Sequence, residues 1–409
     1  MSQQGPLLVV ADGGRPAFAA ALDQAQMFPL IEASFADAAR AVAQVQPSGV
    51  LAEMSGADPA RFAALAKEIG ACKPYLPLVA VNAEGALPEN AIPFAASDGK
   101  FDRLPLRLRA ALRIRALHVT VLRRLRREPA SQLPDTDPAK DATVLLIGRG
   151  GAFPALSVAL GERMGVVGAF SIEAAANHLN TRDLDGIVLG AGFSARVTDA
   201  FLTVLAEDAR FRNLPVVLTT GELAPTYAMP NLEIIRGEPA DIAANALPLV
   251  RQRAFELQLG RTLRAIDAEG LLDPHTGLLA RSAFDRDLAN AVRQTLADGG
   301  GLSVARFGFD PPNSRAQLDG ARIISRLMRQ MDFGAVQHDG SVIVVLADTD
   351  LRDAHGIARR LSSVMRHTAS GRRGERSDPS MTVATLMPGD TASSLLARLC
   401  DRPARAAAL

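Results

Sequence analysis

Three short apolar runs, at residues 6–12, 49–54 and 76–82, are separated by alanine-rich helical stretches, and the same rhythm returns at 142–148, 185–190 and 214–220. Apolar runs this short and continuous suit strands covered on both faces, so each set predicts a parallel sheet wrapped by helices. The second set follows the first by about 136 residues, an internal repeat of strand spacing rather than of identity. At ~100–150 residues per domain, a chain of 409 residues has room for a third domain beyond the two copies.

Composition narrows the function classes. Hydrophobic residues make up 48% and charged residues 22%, and the net charge is +1, which speaks against a nucleic-acid surface spread over the molecule. Cys72 and Cys400 stand too far apart in sequence to suggest a disulfide framework or a thiolate metal site, so a reducing, cytoplasmic setting is expected. The run from Pro6 to Val10 is too short for a membrane span and is broken by Asp12-Gly13-Gly14. The six histidines show no ligand spacing, and no metal site is expected.

Each repeat carries polar residues where its strands end. In the first these are Ala11-Asp12, Glu53 and Asn82; in the second they are Gly148-Arg149, Gly190 and Thr220. Each copy resembles a receiver domain, a flavodoxin-like fold whose site lies at the carboxyl ends of its strands. That resemblance implies an acidic pair for magnesium, an acceptor aspartate, a hydroxyl and a lysine. The first copy retains Asp12 and has Glu53 at the acceptor place, so the two read as a pseudo-phosphoacceptor pair. The second copy lacks both acidic functions.

Between the copies, Leu104 to Arg127 reads as a helix with eight arginines from Arg107 onward. One reading is a surface for an anionic partner; the other is a solvated face with Leu106, Ile114, Leu117, Val121 and Leu125 packed inward. A proline- and aspartate-rich linker follows, at 129–141. A second basic helix, Leu249 to Ala268, leads into the third block.

In that block, Asp273-Pro274-His275-Thr276-Gly277-Leu278 precedes Val336 to Leu346, which reads as a hairpin turning at Asp339-Gly340. The pairing resembles the GGDEF family of diguanylate cyclases, with D-x-L-T-G-L before the turn. His275 stands where that family has leucine and is expected as a partly buried substitution. The family's turn acids are replaced within His338-Asp339-Gly340-Ser341-Val342, and Gly308 stands at the first metal aspartate of the strand. Pro311-Pro312-Asn313-Ser314 replaces a guanine-holding segment, and the strand Met381 to Leu386 and helix Leu395 to Asp401 complete the likeness. Residues Gly371 to Asp378 are expected to form a loop. The resemblance implies an inactive cyclase with no catalytic residues and no required cofactor, because phosphoryl transfer depends on charge stabilisation.

Arg329-Gln330-Met331-Asp332 is the retained feature. The resemblance makes it an inhibitory-site R-x-x-D, six residues before the turn, binding cyclic di-GMP with help from Arg359 or Arg360. A guanidinium fork suits phosphate or the guanine edge. Similar tetrads at Arg196/Asp199, Arg264/Asp267 and Arg398/Asp401 keep open the alternative of an incidental ion pair.

The expected architecture is therefore α/β: two tandem flavodoxin-like receiver domains, at 1–128 and 142–260, then a degenerate, α+β nucleotidyl-cyclase-like GGDEF domain at 261–409. This arrangement resembles the receiver–receiver–GGDEF family of signalling proteins. It implies a non-enzymatic, homodimeric cyclic di-GMP effector that recruits protein partners, adaptor or protease-delivery factors, at a cell pole, with no nucleic acid bound. A ligand-free scaffold is the rival.

Overall fold

The structure, a computed structural model, describes residues 5–27, 29–96, 99–125, 133, 136–220, 227–298, 301–309, 314–329, 331–366 and 379–400. The chain divides into two compact units, one of 1–127, 135–175 and 184–260, the other of 128–134, 176–183 and 261–409. Among the described residues, no helix is long and apolar enough to cross a membrane.

The first lobe of the first unit runs β1 (Leu7–Val10), α1 (Phe18–Gln24), β2 (Leu30–Ala33), α2 (Ala38–Val45), β3 (Gly49–Glu53), α3 (Pro59–Gly70), β4 (Leu78–Val81), β5 (Ala91–Phe94) and α4 (Leu104–Leu125). Its sheet is wholly parallel in the order β2-β1-β3-β4-β5. The apolar runs become β1, β3 and β4, and β1 and β4 are buried throughout. Edge strand β2, only partly buried, carries no such run and was not foreseen. Helix α3 starts where Asp58 accepts the Ala60 N–H at 2.9 Å, with Pro59 supplying a preset φ.

The second lobe repeats the pattern as β6 (Thr143–Ile147), α5 (Ala152–Gly161), β7 (Gly165–Ala169), α6 (Ile172–Thr181), β8 (Gly186–Leu189), α7 (Ala195–Glu207), β9 (Val216–Leu218), β10 (Leu232–Ile234) and α8 (Pro239–Asp267). Its sheet order is β10-β9-β8-β6-β7, the same arrangement. Register makes the repeat explicit. Leu7 pairs Gly49 as Val144 pairs Gly186, so Asp12 matches Arg149 and Glu53 matches Gly190. Helix α8 begins ten residues before the expected Leu249 and carries Pro248 inside it. Proline forfeits one helical hydrogen bond, and burial of Leu247, Leu249 and Val250 around it offsets that loss.

On α4, Arg109, Arg113, Arg123 and Arg124 are exposed as a solvated face requires, but Arg107 is not. Leu104, Leu108, Ala111, Ile114 and Val121 are buried, Leu106, Leu117 and Leu125 only half-buried, and Arg107 is 0% exposed. Its guanidinium donates to the carbonyls of Pro93, Pro230 and Leu232 and to Glu233 at 2.8 Å. Glu233 also accepts the Ala95 N–H at 3.2 Å. The unpaired groups near the ends of β5 and β10 thus meet in one fork. A single core cluster draws on both lobes, including Leu108 and Val250.

Further along the same helix, His118 accepts the Tyr75 N–H through Nδ1 at 3.0 Å and meets the Phe255 ring edge-on at 5.1 Å. Tyr75 in turn receives a hydrogen bond from Gln252, and burial pushes its hydroxyl up to about 12. Burial, then the charges of Lys73 and Arg115, hold the His118 imidazole below its usual range. The unfolded chain therefore binds the proton more readily, and stability must fall as pH drops below ~6.5. Urea midpoints should decline from pH 7.5 to 5.5, and His118→Gln should flatten that decline; an unchanged slope in the variant would show that another group is responsible.

The second unit adds α9 (Arg281–Asp298), β11 (Leu302–Phe309), α10 (Ser314–Leu327), β12 (Phe333–Val336), β13 (Val342–Ala347), α11 (Leu351–Arg366), β14 (Pro379–Thr385) and α12 (Ala392–Cys400). All its strand pairs are antiparallel, in the order β12-β13-β11-β14, giving a βαββαβ arrangement. Alternate residues of β11 enter two cores, Leu302 and Val304 on one face, Ala305 and Phe307 on the other. Residues 129–132, 134 and 135 of the linker, Pro311 to Asn313, the 371–378 segment and Asp401 lie outside the described residues.

Candidate functional site

In the first lobe the carboxyl ends of β1, β3 and β4 bring Asp12, Glu53 and Asn82 to one edge of the sheet. Glu53 accepts the Ser55 N–H and hydroxyl at 3.1 and 2.8 Å, and Asn82 Nδ2 approaches it at 3.5 Å. Asp12 accepts the Phe35 N–H at 2.9 Å, with the Arg61 guanidinium at 4.0 Å. Asn82 has φ of +55°, a left-handed conformation that asparagine tolerates better than branched residues. Glu53 is thus a carboxylate already bound to its own loop.

The second lobe closes the equivalent edge. Gly148 and Gly190 back onto each other, and a Cβ on Gly148 would sit 3.5 Å from Gly190 Cα. Arg149 donates to the Phe170 carbonyl and lies 5.4 Å from the Phe193 ring centre. A cation on an aromatic face stands where the first lobe has Asp12.

In the second unit, Asp273 accepts from the N–H groups of His275 and Thr276 and from the Thr276 hydroxyl. Leu279 then donates to Gly334 of β12, so the Asp273–Leu278 motif ties the chain to the sheet. His275 is half-buried, and its carbonyl accepts from Arg322.

The hairpin departs from the expected two-residue turn. Val336 pairs with Val342, Gln337 donates to Ser341, and only Gly340 of the tip has positive φ, +77°. This is a three-residue loop; a two-residue type I′ turn also needs Asp339 at positive φ. The reason is a clamp that motif reading missed. Arg306 of β11 reaches Asp339 at 2.5 Å and Ser341 at 3.1 Å, while the Ser341 hydroxyl and N–H both donate to Asp339. Burial alone would raise the Asp339 carboxyl, but Ser341 and Arg306 hold it down to about 2. Arg281 closes the base by donating to Gln337, and a Cβ on Gly340 would strike Gln317 at 2.3 Å.

Among the described residues, the turn and Gly308 present no pair of free carboxylates for magnesium. The turn's one carboxylate is neutralised by an internal guanidinium, and Gly308 offers no donor. A Cβ at Gly308 would sit 2.7 Å from the Ser380 hydroxyl. No cluster of three or more metal-ligating side chains occurs among the described residues. The missed signal was period-two: Arg306 shares a strand face with Gly308.

Arg329 is exposed just beyond α10, and Asp332 is 8% exposed at the start of β12. The Asp332 N–H donates to the Arg329 carbonyl at 3.0 Å, and Asp332 Oδ1 accepts the Ala347 N–H at 3.1 Å. Burial raises the Asp332 carboxyl, against the pull of those backbone donors and of Arg329's charge. Asp332 is thus fastened to the end of β13, the strand that leads into α11 with its exposed Arg359 and Arg360. Met331 between them is 59% exposed.

No family model matches the chain, and no curated protein does either. Among solved structures, it is similar to the coiled coil and GGDEF domain of DgcB from Caulobacter crescentus in complex with c-di-GMP. That likeness has 16% identity and a TM-score of 0.29, over 35% of this chain and 83% of that one. It is also similar to the FimX GGDEF domain from Pseudomonas aeruginosa, at 18% identity and a TM-score of 0.29, over 32% and 89%. For the GGDEF domain of PA1120 (YfiN or TpbB) from Pseudomonas aeruginosa the values are 24% and 0.26, over 31% and 87%.

Proposed function

We propose that this chain is a catalytically inactive, PleD/PopA-like cyclic di-GMP effector, with two pseudo-receiver domains at 1–128 and 142–260 and a degenerate GGDEF domain at 261–409. Cyclic di-GMP binds at Arg329 and Asp332, helped by Arg359 or Arg360, and the dimeric protein recruits adaptor or protease-delivery partners at a cell pole. The carrying observation is the contrast within one domain. The catalytic turn is locked by Arg306 on Asp339, whereas Arg329, Arg359 and Arg360 stand exposed. Glu53, bound to Ser55, supplies a standing negative charge at the acceptor place, so the first lobe signals without phosphorylation.

Two assays test the inactive reading. GTP with magnesium should yield no cyclic di-GMP above a no-enzyme control, and acetyl phosphate should leave the protein's mass unchanged. Product that disappears on mutation within 261–409, or an added phosphate on residues 1–128, overturns it. The buried Arg107–Glu233 pair favours the second reading, a ligand-free scaffold, because it welds both lobes into one block.

A further inference from the structure

The exposed face of α11 carries a pattern that the helix does not need for itself. Arg352, Gly356, Arg359, Ser363 and Arg366 are all exposed and spaced four, three, four and three apart, so they form one seam. Ala354, Ala358, Leu361 and Met365 bury the opposite face. The chain has 44 acidic residues for 45 basic ones, yet Arg352, Arg359, Arg360 and Arg366 have no carboxylate partner among the described residues. No Asp or Glu stands three or four residues from Arg359, Arg360 or Arg366, where a helix places its supporting ion pairs.

Two residues make the seam costly. Arg352 lies in the first turn, at the positive end of the helix dipole, where a cation is unfavourable. Gly356 sits mid-helix, where glycine costs roughly 1 kcal/mol against alanine. A Cβ at Gly356 would meet nothing within 4 Å, so none of the described residues requires the glycine. Both choices are accounted for by a partner docked on this face.

We propose that this seam docks an acidic α-helix of a protein partner, with carboxylates seven residues apart on the facing side. Alternating small residues and arginines suit a helix laid nearly parallel, each guanidinium ~10.5 Å from the next along the axis. A nucleic-acid duplex, with a charge every ~1.7 Å, would leave most of its phosphates unmet by three guanidinium groups in a row. A membrane needs apolar side chains on the face, and the seam has none. The seam shares Arg359 with the proposed cyclic di-GMP site, but the inference rests on Arg352, Gly356 and Arg366, which that site does not use.

The test uses the full chain and a synthetic monomeric helical peptide bearing glutamate every seventh residue. A peptide of equal composition with the glutamates spread around the helix serves as control. Anisotropy should show the patterned peptide bound at least ~10-fold tighter at low salt, and Arg352→Glu/Arg366→Glu should abolish that preference. Gly356→Leu should weaken binding while leaving circular dichroism and the cyclic di-GMP titration unchanged. Equal binding of both peptides, or indifference to the charge reversal, overturns the proposal. So does tighter binding of a 20-base-pair duplex or of phosphatidylserine vesicles that the same reversal removes.

Discussion

Arg107→Met should destabilise the first unit by ~3–5 kcal/mol, the range for removing one partner of a buried ion pair. The loss arises because Glu233, only 2% exposed in its side chain, would keep a charge with no guanidinium to meet it. A double replacement, Arg107→Met with Glu233→Leu, removes both charges and normally recovers such a loss. Here recovery should be partial, because the Pro93, Pro230 and Leu232 carbonyls also depend on the guanidinium. Each orphaned carbonyl costs ~1–3 kcal/mol. Urea unfolding of the full chain reads this directly, and the single variant should separate the lobes into two transitions where the parent shows one. A loss below ~1 kcal/mol would mean that water replaces the fork and that the lobes hold together by apolar contact alone.

The same residue marks where pattern reading fails. Strands β1, β3, β4, β6, β8 and β9 were legible because a parallel sheet covered on both faces demands continuous apolar runs, whereas edge strand β2 needs none. On α4, periodicity assigns arginines to water by default. Arg107 is buried because the ends of two separate strands leave carbonyls that need donors, a circumstance that exists only once both lobes have folded.

At the hairpin the division is similar. Gly340 and the strands around it were readable, since a left-handed tip and two apolar runs leave local marks. The Arg306 clamp was not, because it links residues 33 positions apart across strand neighbours and changes the turn type as it forms. Asp332 carries the same lesson: its letters suggest a ligand contact but give no sign that Oδ1 accepts the Ala347 N–H.

Arg329→Ala should weaken cyclic di-GMP binding on the order of 10- to 100-fold, the equivalent of a charge-assisted fork worth roughly 1.5–3 kcal/mol. Arg329 is exposed and borrows little from the fold, so the variant should unfold at the parent's urea midpoint. Asp332→Ala is a poorer probe, since it frees the Ala347 N–H and loosens the turn that presents Arg329. Arg264→Ala, in another Arg-x-x-Asp tetrad on α8, controls for generic loss of positive charge and should leave affinity within about twofold, the scale of a surface charge change. Arg360→Ala and Arg359→Ala, measured separately, identify which arginine of α11 completes the site. Calorimetry on the parent and these variants decides the matter. Failure of the parent to bind, or an equal loss in Arg264→Ala, leaves the scaffold reading, with the welded lobes as its foundation.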